Sequence, residues 1–417
     1  MKKTVLVFVM FIVMIAMVWA GGRSGDAGGK MQLTYWNLGN REPGMEAVIQ
    51  AFMRANPDIE IRASYYDTDG IKDAKKVAAA SRTLPDMWYN WGGTLGSFYA
   101  ENNLAYDLTV YARTNGWHEK FNPAALSLCT MGGKLTGYPT TLNALVMYYN
   151  RDIFSRLNLS VPTTFQQFEQ LCTTLRQNGI TPISVAGHRG WHAMRILEQL
   201  IEHHAGPAQH DRMSSFQASY NHGSVVQALT KFQEWSNRGF FPEGWVSADP
   251  NGTYIDLFAG RAAMDIQGPW YDGTIGREGQ NASQFGVFPF PNGGNNRLSA
   301  FVEMTQFNAN LSPQRLEACV KFMDYYTSNE NFLMYPDFIR RPPRNDAPFP
   351  PAQVNLPIVL DFAGRNGTFT ITDQAFPTEV ADELFRVQDG LAIGSVTPRD
   401  GAARIQAAIE AWKRNNP

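Results

Sequence analysis

The chain is poor in cysteine and in charged residues. Its three cysteines are Cys129, Cys172 and Cys319, an odd number spread far apart, and charged residues make up 18% of the sequence. An exported protein could join two of these thiols and leave one free. A chain of this size does not need a disulfide to fold. We therefore favour three buried side chains that act as small apolar residues over one disulfide.

Signals for several functional classes are also missing. Removal of a leader containing Lys2 and Lys3 leaves 34 basic and 38 acidic residues, a net charge of about −4, so no basic surface for nucleic acid is indicated. The sequence has no Gly-x-Ser-x-Gly nucleophile motif and no phosphate-binding loop of the Gly-x4-Gly-Lys type. A glycoside hydrolase needs two facing carboxylates, and with 38 acidic residues counting does not exclude such a pair.

Histidine is concentrated in one part of the chain. Six of the seven histidines lie between His188 and His222, but no His-Glu-x-x-His motif or neighbouring cysteine accompanies them. We therefore expect surface and helix-capping histidines, with no metal site and no cofactor.

The N-terminus has the pattern of a secretory leader. Lys2 and Lys3 precede an almost wholly apolar run over residues 5–18, and Ala20 offers a small residue for cleavage. The run is short for a membrane span of about 20 residues, although an uncleaved anchor is the alternative. Residues 21–29 (GGRSGDAGG) are typical of a flexible tether, and no cysteine for lipid attachment lies near the cleavage point.

Alternating strand and helix patterns follow the tether. Strand-forming residues and helical spacing of apolar residues predict strands over 31–36, 59–65 and 84–89 and helices over 45–55 and 71–80. This order predicts an α/β fold in which a parallel sheet carries helices on both faces. Ligands of such sheets bind at the carboxyl ends of the strands.

The rest of the chain continues the α/β pattern without an internal repeat. We predict a strand that crosses into a second lobe over 145–149, a helix that begins at Thr163 or Thr164, and a strand over 262–266. Further helices are predicted over 194–203, 225–239 and 402–412, with another that starts at Ser312 and Pro313. Residues 342–357 are rich in proline and lack periodicity, which indicates a wrapping loop.

Several short motifs occur in a specific order along the chain. They are 56–61 (NPDIEI), 84–86 (LPD) with 91–93 (WGG), 103–109 (NLAYDLT), 137–139 (GYP) with 148–154 (YYNRDIF), 162–165 (PTTF) and 258–270 (FAGRAAMDIQGPW). Their combination resembles the extracellular solute-binding proteins of ATP-driven (ABC-type) importers, in the sugar-binding, maltose-binding-protein-like branch. The resemblance covers nearly all of the mature chain. Asn103 replaces a usual glycine, and Phe165 replaces a usual tryptophan.

The resemblance implies a two-lobed, type II periplasmic binding fold. Such proteins have parallel-rich sheets flanked by helices and a hinge of two or three crossings. We expect the N-terminal lobe to hold residues 30–143 and about 285–325. The C-terminal lobe is then expected to hold residues 144–284 and about 326–417.

A sugar site needs aromatic rings for the apolar face of a pyranose and polar side chains for its hydroxyls. The candidates for stacking are Trp36, Trp88, Trp91, Trp191, Trp270 and Tyr271, with Trp270 the strongest because it follows a strand end. The candidates for hydroxyl binding are Asp67, Asn90, Asn143 and Glu303. The competing interpretation places the tryptophans in the core and the polar residues in turns.

The resemblance implies a monomeric periplasmic protein that binds a sugar or oligosaccharide between its lobes. It would deliver that ligand to the transmembrane permease of an ABC importer and would not act as an enzyme. A secreted glycoside hydrolase is one alternative. A sugar-sensing module without transport is another.

Overall fold

The computed structural model describes residues 29–39 and 43–416. The predicted leader, residues 1–20, and residues 21–28 of the predicted tether lie outside this part of the chain. Within it, no helix combines the length and the apolar character needed to cross a membrane.

Strands and helices alternate through most of the described chain. The strands are β1 (Met31–Leu38), β2 (Ile59–Tyr66), β3 (Met87–Trp91), β4 (Thr130–Met131), β5 (Lys134–Leu135), β6 (Tyr138–Ala144), β7 (Val146–Asn150), β8 (Thr181–Ile183), β9 (Ala262–Gln267), β10 (Phe285–Phe288), β11 (Leu298–Phe307) and β12 (Thr368–Thr370). The helices of the first half are α1 (Pro43–Ala55), α2 (Thr68–Ser81), α3 (Thr94–Glu101), α4 (Thr109–Thr114), α5 (Trp117–Lys120), α6 (Pro123–Leu128), α7 (Arg151–Arg156), α8 (Phe165–Gln177) and α9 (Trp191–Ala205). Those of the second half are α10 (Pro207–Ser214), α11 (Gly223–Asn237), α12 (Thr253–Phe258), α13 (Trp270–Arg277), α14 (Pro313–Tyr326), α15 (Asn329–Met334), α16 (Leu356–Asn366), α17 (Thr372–Ala375), α18 (Thr378–Ala392) and α19 (Pro398–Asn415).

The first lobe is built on a six-stranded mixed sheet. Its order is β12-β11-β3-β1-β2, and β6 also pairs with β11. Strands β1, β2 and β3 are parallel, as their β-α-β-α-β order predicted. Strand β11 runs antiparallel to both β3 and β6. Strand β11, from late in the chain, therefore pairs with the earlier strands β3 and β6.

The second lobe is built on a four-stranded sheet in the order β10-β7-β9-β8. Only β8 and β9 are parallel, whereas β7 is antiparallel to both of its neighbours. The expected two-lobed α/β architecture is confirmed, with mostly parallel pairing in the first sheet and mostly antiparallel pairing in the second.

The chain passes between the lobes three times. The first crossing is at Leu145, between β6 of the first sheet and β7 of the second. We expected a return to the first lobe near residue 285, but β10 still pairs with β7, so the return lies between Phe288 and Leu298. The third crossing follows β12, because β12 pairs with β11 in the first sheet. Helices α18 and α19 then pack on α11 of the second lobe.

Local capping explains several helix starts. Asp67 accepts a hydrogen bond from the Gly70 backbone N–H at the start of α2. Thr164 and Gln167 form a capping box at the start of α8, and Ser312 caps α14 with Pro313 in its first turn. Each cap satisfies a backbone N–H that would otherwise lack a partner. These signals are local, which is why the sequence predicted the starts of α8 and α14.

Each lobe has an apolar core, and Trp91 and Phe301 of the first lobe join the cluster of the second. Leu33, Phe52, Met87 and Phe322 belong to the core around the first sheet, whereas Phe168, Leu197, Phe232 and Ile405 belong to the core of the second lobe. All three cysteines are free and buried, as expected. Burial raises the pKa of each of these thiols. They act as small apolar side chains in the cores.

Candidate functional site

A cleft of about 630 Å³ lies between the two lobes. Its first-lobe wall includes Asp67, Lys72 and Trp91, and its second-lobe wall includes Trp191 and Arg195. Ligand pockets typically have volumes of about 300–1,000 Å³. The cleft therefore has the size of a small-molecule site and takes residues from both sheets.

Trp91 is the aromatic residue at the end of β3. It is 8% exposed, and Tyr89 packs edge-on against it with 5.0 Å between the ring centroids. The Lys72 and Lys75 ammonium groups each lie 5.1 Å from its ring centroid. These contacts hold the indole at the carboxyl end of β3.

Trp191 and Arg195 lie one helical turn apart at the start of α9. The Arg195 guanidinium carbon is 4.8 Å from the Trp191 ring centroid and 5.4 Å from that of Trp270. Arg195 Nη1 donates to the Ile266 carbonyl at 3.2 Å and to Gln267 Oε1 at 3.0 Å. Its Nε has no hydrogen-bond partner in the described part of the chain, and burial lowers the pKa of Arg195 to about 10. A buried donor is therefore left free beside the cleft.

Trp270 is bordered by a second guanidinium. Arg340 lies over its ring, 5.5 Å from the centroid, and forms an ion pair with Glu303 of β11. Phe301 packs on the same indole at 5.6 Å. The Trp270 ring, which we expected to stack on a sugar, is therefore surrounded by Arg195, Arg340 and Phe301.

A buried polar network supports the second-lobe wall. Asp265 on β9 accepts a hydrogen bond from the Tyr271 hydroxyl at 3.1 Å, and His192 Nε2 lies 3.1 Å from its other oxygen. Gln267 Nε2 donates to the same carboxylate at 3.1 Å. Burial lowers the pKa of His192, against the opposing influence of Asp265. Tyr271 is 2% exposed, so it lines the cleft while its hydroxyl points to Asp265.

The short helix α17 brings further polar groups to the cleft. Asp373 and Gln374 belong to α17, and Gln374 Oε1 is buried without a hydrogen-bond partner among the described residues. Burial raises the pKa of Asp373, whereas the charges of Lys72 and Arg195 act in the opposite direction. Arg195 and Gln374 thus bring an unpaired donor and an unpaired acceptor to the residues that line the cleft, which suits a ligand rich in hydroxyls.

The structure brings together six of the ten candidate residues, and Trp88 is instead fully buried in the first lobe. Those lining the cleft are Asp67, Trp91, Trp191, Trp270, Tyr271 and Glu303. Asn143 lines a neighbouring chamber. Asn90 lies in the interior, where it bonds to Lys75 and Gln306 at 2.6 Å each. Trp36 packs on Tyr66 at 5.4 Å and does not line the cleft.

Several residues of the cleft were not predicted. They are Lys72, Arg195, Arg340, Asp373 and Gln374. The predicted helix began at residue 194, after Trp191, whereas α9 begins at Trp191 and so places Arg195 on the same face one turn later. Arg340 lies in a segment without helix or strand, and no periodicity places it.

The lobes also touch each other beside the cleft. Arg189, just before α9, forms an ion pair with Asp73 of α2 at 2.8 Å. Thr94 at the start of α3 donates from its hydroxyl to the Phe376 carbonyl at 2.5 Å. The cleft is thus flanked by direct contacts between elements of the two lobes.

The histidines serve local structure. His222 caps α11, as expected, by accepting from the Ser224 backbone N–H. The prediction of surface positions was wrong for His192 and His210, which are buried against Asp265 and Glu202. Within residues 29–39 and 43–416, no three His, Cys, Asp or Glu side chains are grouped as metal ligands.

Comparison with known proteins assigns a family to most of the chain. The model of the family described as bacterial extracellular solute-binding protein matches residues 47–355. One curated relative is an uncharacterized ABC transporter extracellular-binding protein from Pyrococcus horikoshii, 21% identical over 271 residues. The match covers 62% of this chain and 60% of that relative.

A second relative matches over a longer stretch. It is the multiple sugar-binding protein of Streptococcus mutans, 21% identical over 317 residues, with 74% of each chain covered. Among solved structures, a chitin oligosaccharide binding protein superposes with a TM-score of 0.83 at 20% identity. That superposition covers 92% of this chain and 99% of the other, so the likeness of fold extends over both lobes.

Proposed function

The chain belongs to the bacterial extracellular solute-binding proteins, and from that membership we propose that it captures a sugar or oligosaccharide between its lobes. Relatives with the same architecture carry names that refer to sugars. The observation that carries the proposal is the cleft itself. It combines aromatic rings with unpaired donors and acceptors, and both lobes contribute to it.

The chemistry of the lining residues supports a carbohydrate ligand. Trp91 and Trp191 offer ring surfaces from opposite lobes for the apolar faces of pyranose units. Arg195, Lys72 and Asp373 offer donors and an acceptor for hydroxyls. We assign ligand contact to these residues together with Asp67, Trp270, Tyr271, Gln374 and Glu303. Asn90 and Trp36 are not part of this proposal, because neither lines the cleft.

The expected mechanism is capture and delivery. A ligand shifts the balance between open and closed lobes only through contacts that it makes better in the closed form. The ion pair between Asp73 of the first lobe and Arg189 of the second is a contact that forms only when the lobes lie against each other. The closed protein would then dock on the transmembrane permease of an ABC importer, which supplies the energy for transport. We propose that it acts as a monomer in the periplasm, after removal of its leader near Ala20.

The proposal assigns no catalysis to the chain. Glu303, a carboxylate that lines the cleft, forms an ion pair with Arg340. Hydrolysis of a glycosidic bond needs one carboxylic acid and one free carboxylate on either side of the bond. A binding protein leaves the sugar unchanged, whereas a glycoside hydrolase cleaves it. One experiment that recovers the sugar therefore distinguishes the two functions.

That experiment is thermal unfolding of the mature chain, from Lys30 onward, with a panel of sugars, polyols and amino acids. A ligand that binds only the folded state stabilises it by about 2.7 kcal/mol at a hundredfold excess over its dissociation constant. We expect one class of sugar to raise the midpoint and to be recovered intact by chromatography. A sugar that is cleaved would contradict the transport role, and a shift with amino acids alone would contradict the carbohydrate assignment.

A further inference from the structure

Helix α17 is a single turn of four residues that follows β12 at the third crossing between the lobes. Two of its residues, Asp373 and Gln374, line the cleft. The helix has no side-chain cap of its own, and one turn has too few internal hydrogen bonds to be stable by itself. The placement of these two cleft residues therefore depends on contacts that other elements make with α17.

The first lobe holds the segment through its backbone. The Ile371 N–H donates to the Ala300 carbonyl of β11 at 2.9 Å. At the other end of the turn, the Thr94 hydroxyl of α3 lies 2.5 Å from the Phe376 carbonyl oxygen, to which it donates, and 3.3 Å from that of Gln374. These contacts fix α17 relative to the first sheet.

The second lobe holds the start of α17 through one buried acid, Glu198 of α9. Its side chain is 1% exposed, and its Oε2 accepts from the Thr372 backbone N–H at 2.9 Å and from the Thr372 hydroxyl at 3.0 Å. The first N–H of a helix has no partner within that helix, so Glu198 supplies the acceptor that α17 lacks. Beyond the turn, the Phe376 ring packs against Phe216 and Tyr220, with 5.2 Å between ring centroids in each pair.

Glu198 also belongs to the helix that forms the second-lobe wall of the cleft. Trp191, Arg195 and Glu198 follow one another at positions i, i+4 and i+7 of α9 and therefore share one face. Burial raises the pKa of Glu198 to about 8, so the side chain is largely protonated at pH 7 and its Oε2 is a neutral acceptor. An amide oxygen can accept the same two hydrogen bonds.

We propose that Glu198 is a positioning residue for sugar binding, which sets the spacing between Arg195 on α9 and Asp373 and Gln374 on α17. Glu198 does not line the cleft, so it acts through these residues and does not contact the ligand. The inference rests on the proposed function, and it adds a residue outside the cleft on which ligand affinity depends.

The first test needs no sugar. Amide hydrogen exchange is measured by mass spectrometry on peptides that cover residues 371–377. Glu198→Leu removes the acceptor at similar size and should speed exchange in this segment by at least about tenfold, as the loss of one buried hydrogen bond gives. Glu198→Gln keeps an acceptor oxygen and should keep the protection. Unchanged protection in folded Glu198→Leu would overturn the inference.

A matched control and a second variant complete this measurement. Asp272 is another buried carboxylate that accepts backbone hydrogen bonds at the start of a helix, from Asn355 and Leu356 of α16. Asp272→Leu should therefore speed exchange at residues 355–357 and leave 371–377 protected. Thr372→Val removes only the hydroxyl donor and should speed exchange in 371–377 by about threefold. It tests the contact from its other side if Glu198→Leu does not fold, and unchanged exchange would overturn the inference.

The second test is calorimetric titration with maltose, xylobiose, chitobiose and galactobiose. For the sugar that binds, Glu198→Leu should lower the affinity about tenfold, and Glu198→Gln should keep it within about twofold. In a chain that already carries Asp373→Ala and Gln374→Ala, Glu198→Leu should cost no more than about a further twofold, because the contacts that it displaces are gone. An equal loss in both backgrounds would overturn the inference. Failure of all four sugars to bind would count against the proposed function, whereas the exchange measurement would still decide whether Glu198 positions α17.

Discussion

Asp73 of the first lobe and Arg189 of the second lobe form an ion pair at 2.8 Å beside the cleft. Their side chains are 58% and 47% exposed, so water screens the attraction. Arg189 has a φ of 64° in the turn before α9, where a side chain in the left-handed region is uncommon. The turn therefore holds a strained residue in position to reach across the lobes.

The Asp73–Arg189 pair should make a small contribution to ligand affinity. Exposed ion pairs contribute about 0–1 kcal/mol, so Asp73→Asn is expected to weaken sugar binding by no more than about fivefold. Asp361→Asn, which breaks an exposed pair with Arg365 inside α16, is the matched control and should leave affinity unchanged. Calorimetric titration measures both, and a loss of a hundredfold in Asp73→Asn would contradict this view of closure.

Trp191 and Trp36 give a test of which aromatic residues contact the ligand. Both were candidates from sequence, but only Trp191 lines the cleft. Trp191→Ala should weaken sugar binding by at least about tenfold, because an aromatic contact of this kind contributes about 1 kcal/mol or more. Trp36→Ala should keep the affinity and lose stability, because Trp36 packs on Tyr66. Equal effects of the two substitutions on affinity would contradict the assigned site.

Glu198 should make stability depend on pH. It is buried on α9, where the Thr372 backbone N–H and hydroxyl donate to its Oε2 at 2.9 and 3.0 Å. Burial raises the pKa of Glu198 to about 8, against about 4.3 for an unfolded glutamate. Between these two values only the unfolded chain gives up the proton, so this group favours unfolding more and more as the pH rises.

Glu198→Gln removes that dependence and keeps the shape of the side chain. The stability of the variant relative to the unaltered protein should increase from pH 5 to pH 8, by at least about 1 kcal/mol in the free energy of unfolding. Denaturant unfolding at the two pH values measures the difference. A constant difference, or one that shrinks as the pH rises, would show that Glu198 is ionised in the folded state.

The thiols provide a test of the cores. Cys129, Cys172 and Cys319 are free and buried, and burial raises the pKa of each. Because the thiolate is the reactive form, a thiol reagent should label none of them in the folded protein and all three in urea. A single labelled thiol in urea without reductant would reveal a disulfide and contradict the free cysteines.

The helix starts that were predicted correctly are those whose signals lie in neighbouring residues of the sequence. The capping box of α8 and the Ser312–Pro313 start of α14 lie within a few residues of the helices that they begin. Strand β11 was not predicted, because its ten residues are all buried and show no alternation. Its partners on β3 and β6 lie more than 150 residues away, so only the tertiary fold places it.

The same distinction between local signals and long-range pairing explains which site residues were predicted from the sequence. Asn90 and Trp91 are adjacent on β3, and alternate residues of a strand face opposite sides, so both cannot line one cleft. Trp36 pairs with Trp88 on the side opposite to Trp91. Proximity to a strand end was visible in the sequence, but the face on which each side chain lies depends on register. Arg340 comes from an irregular loop, and its pairing with Glu303 spans 37 residues.

The most direct test of the central claim is a crystal structure of the mature chain with the sugar that binds most tightly. We predict an intact sugar between the lobes, in contact with Trp91, Trp191 and Arg195. A sugar bound on the outer surface, or one found cleaved in the cleft, would contradict the account of a protein that captures its ligand between two lobes and releases it unchanged.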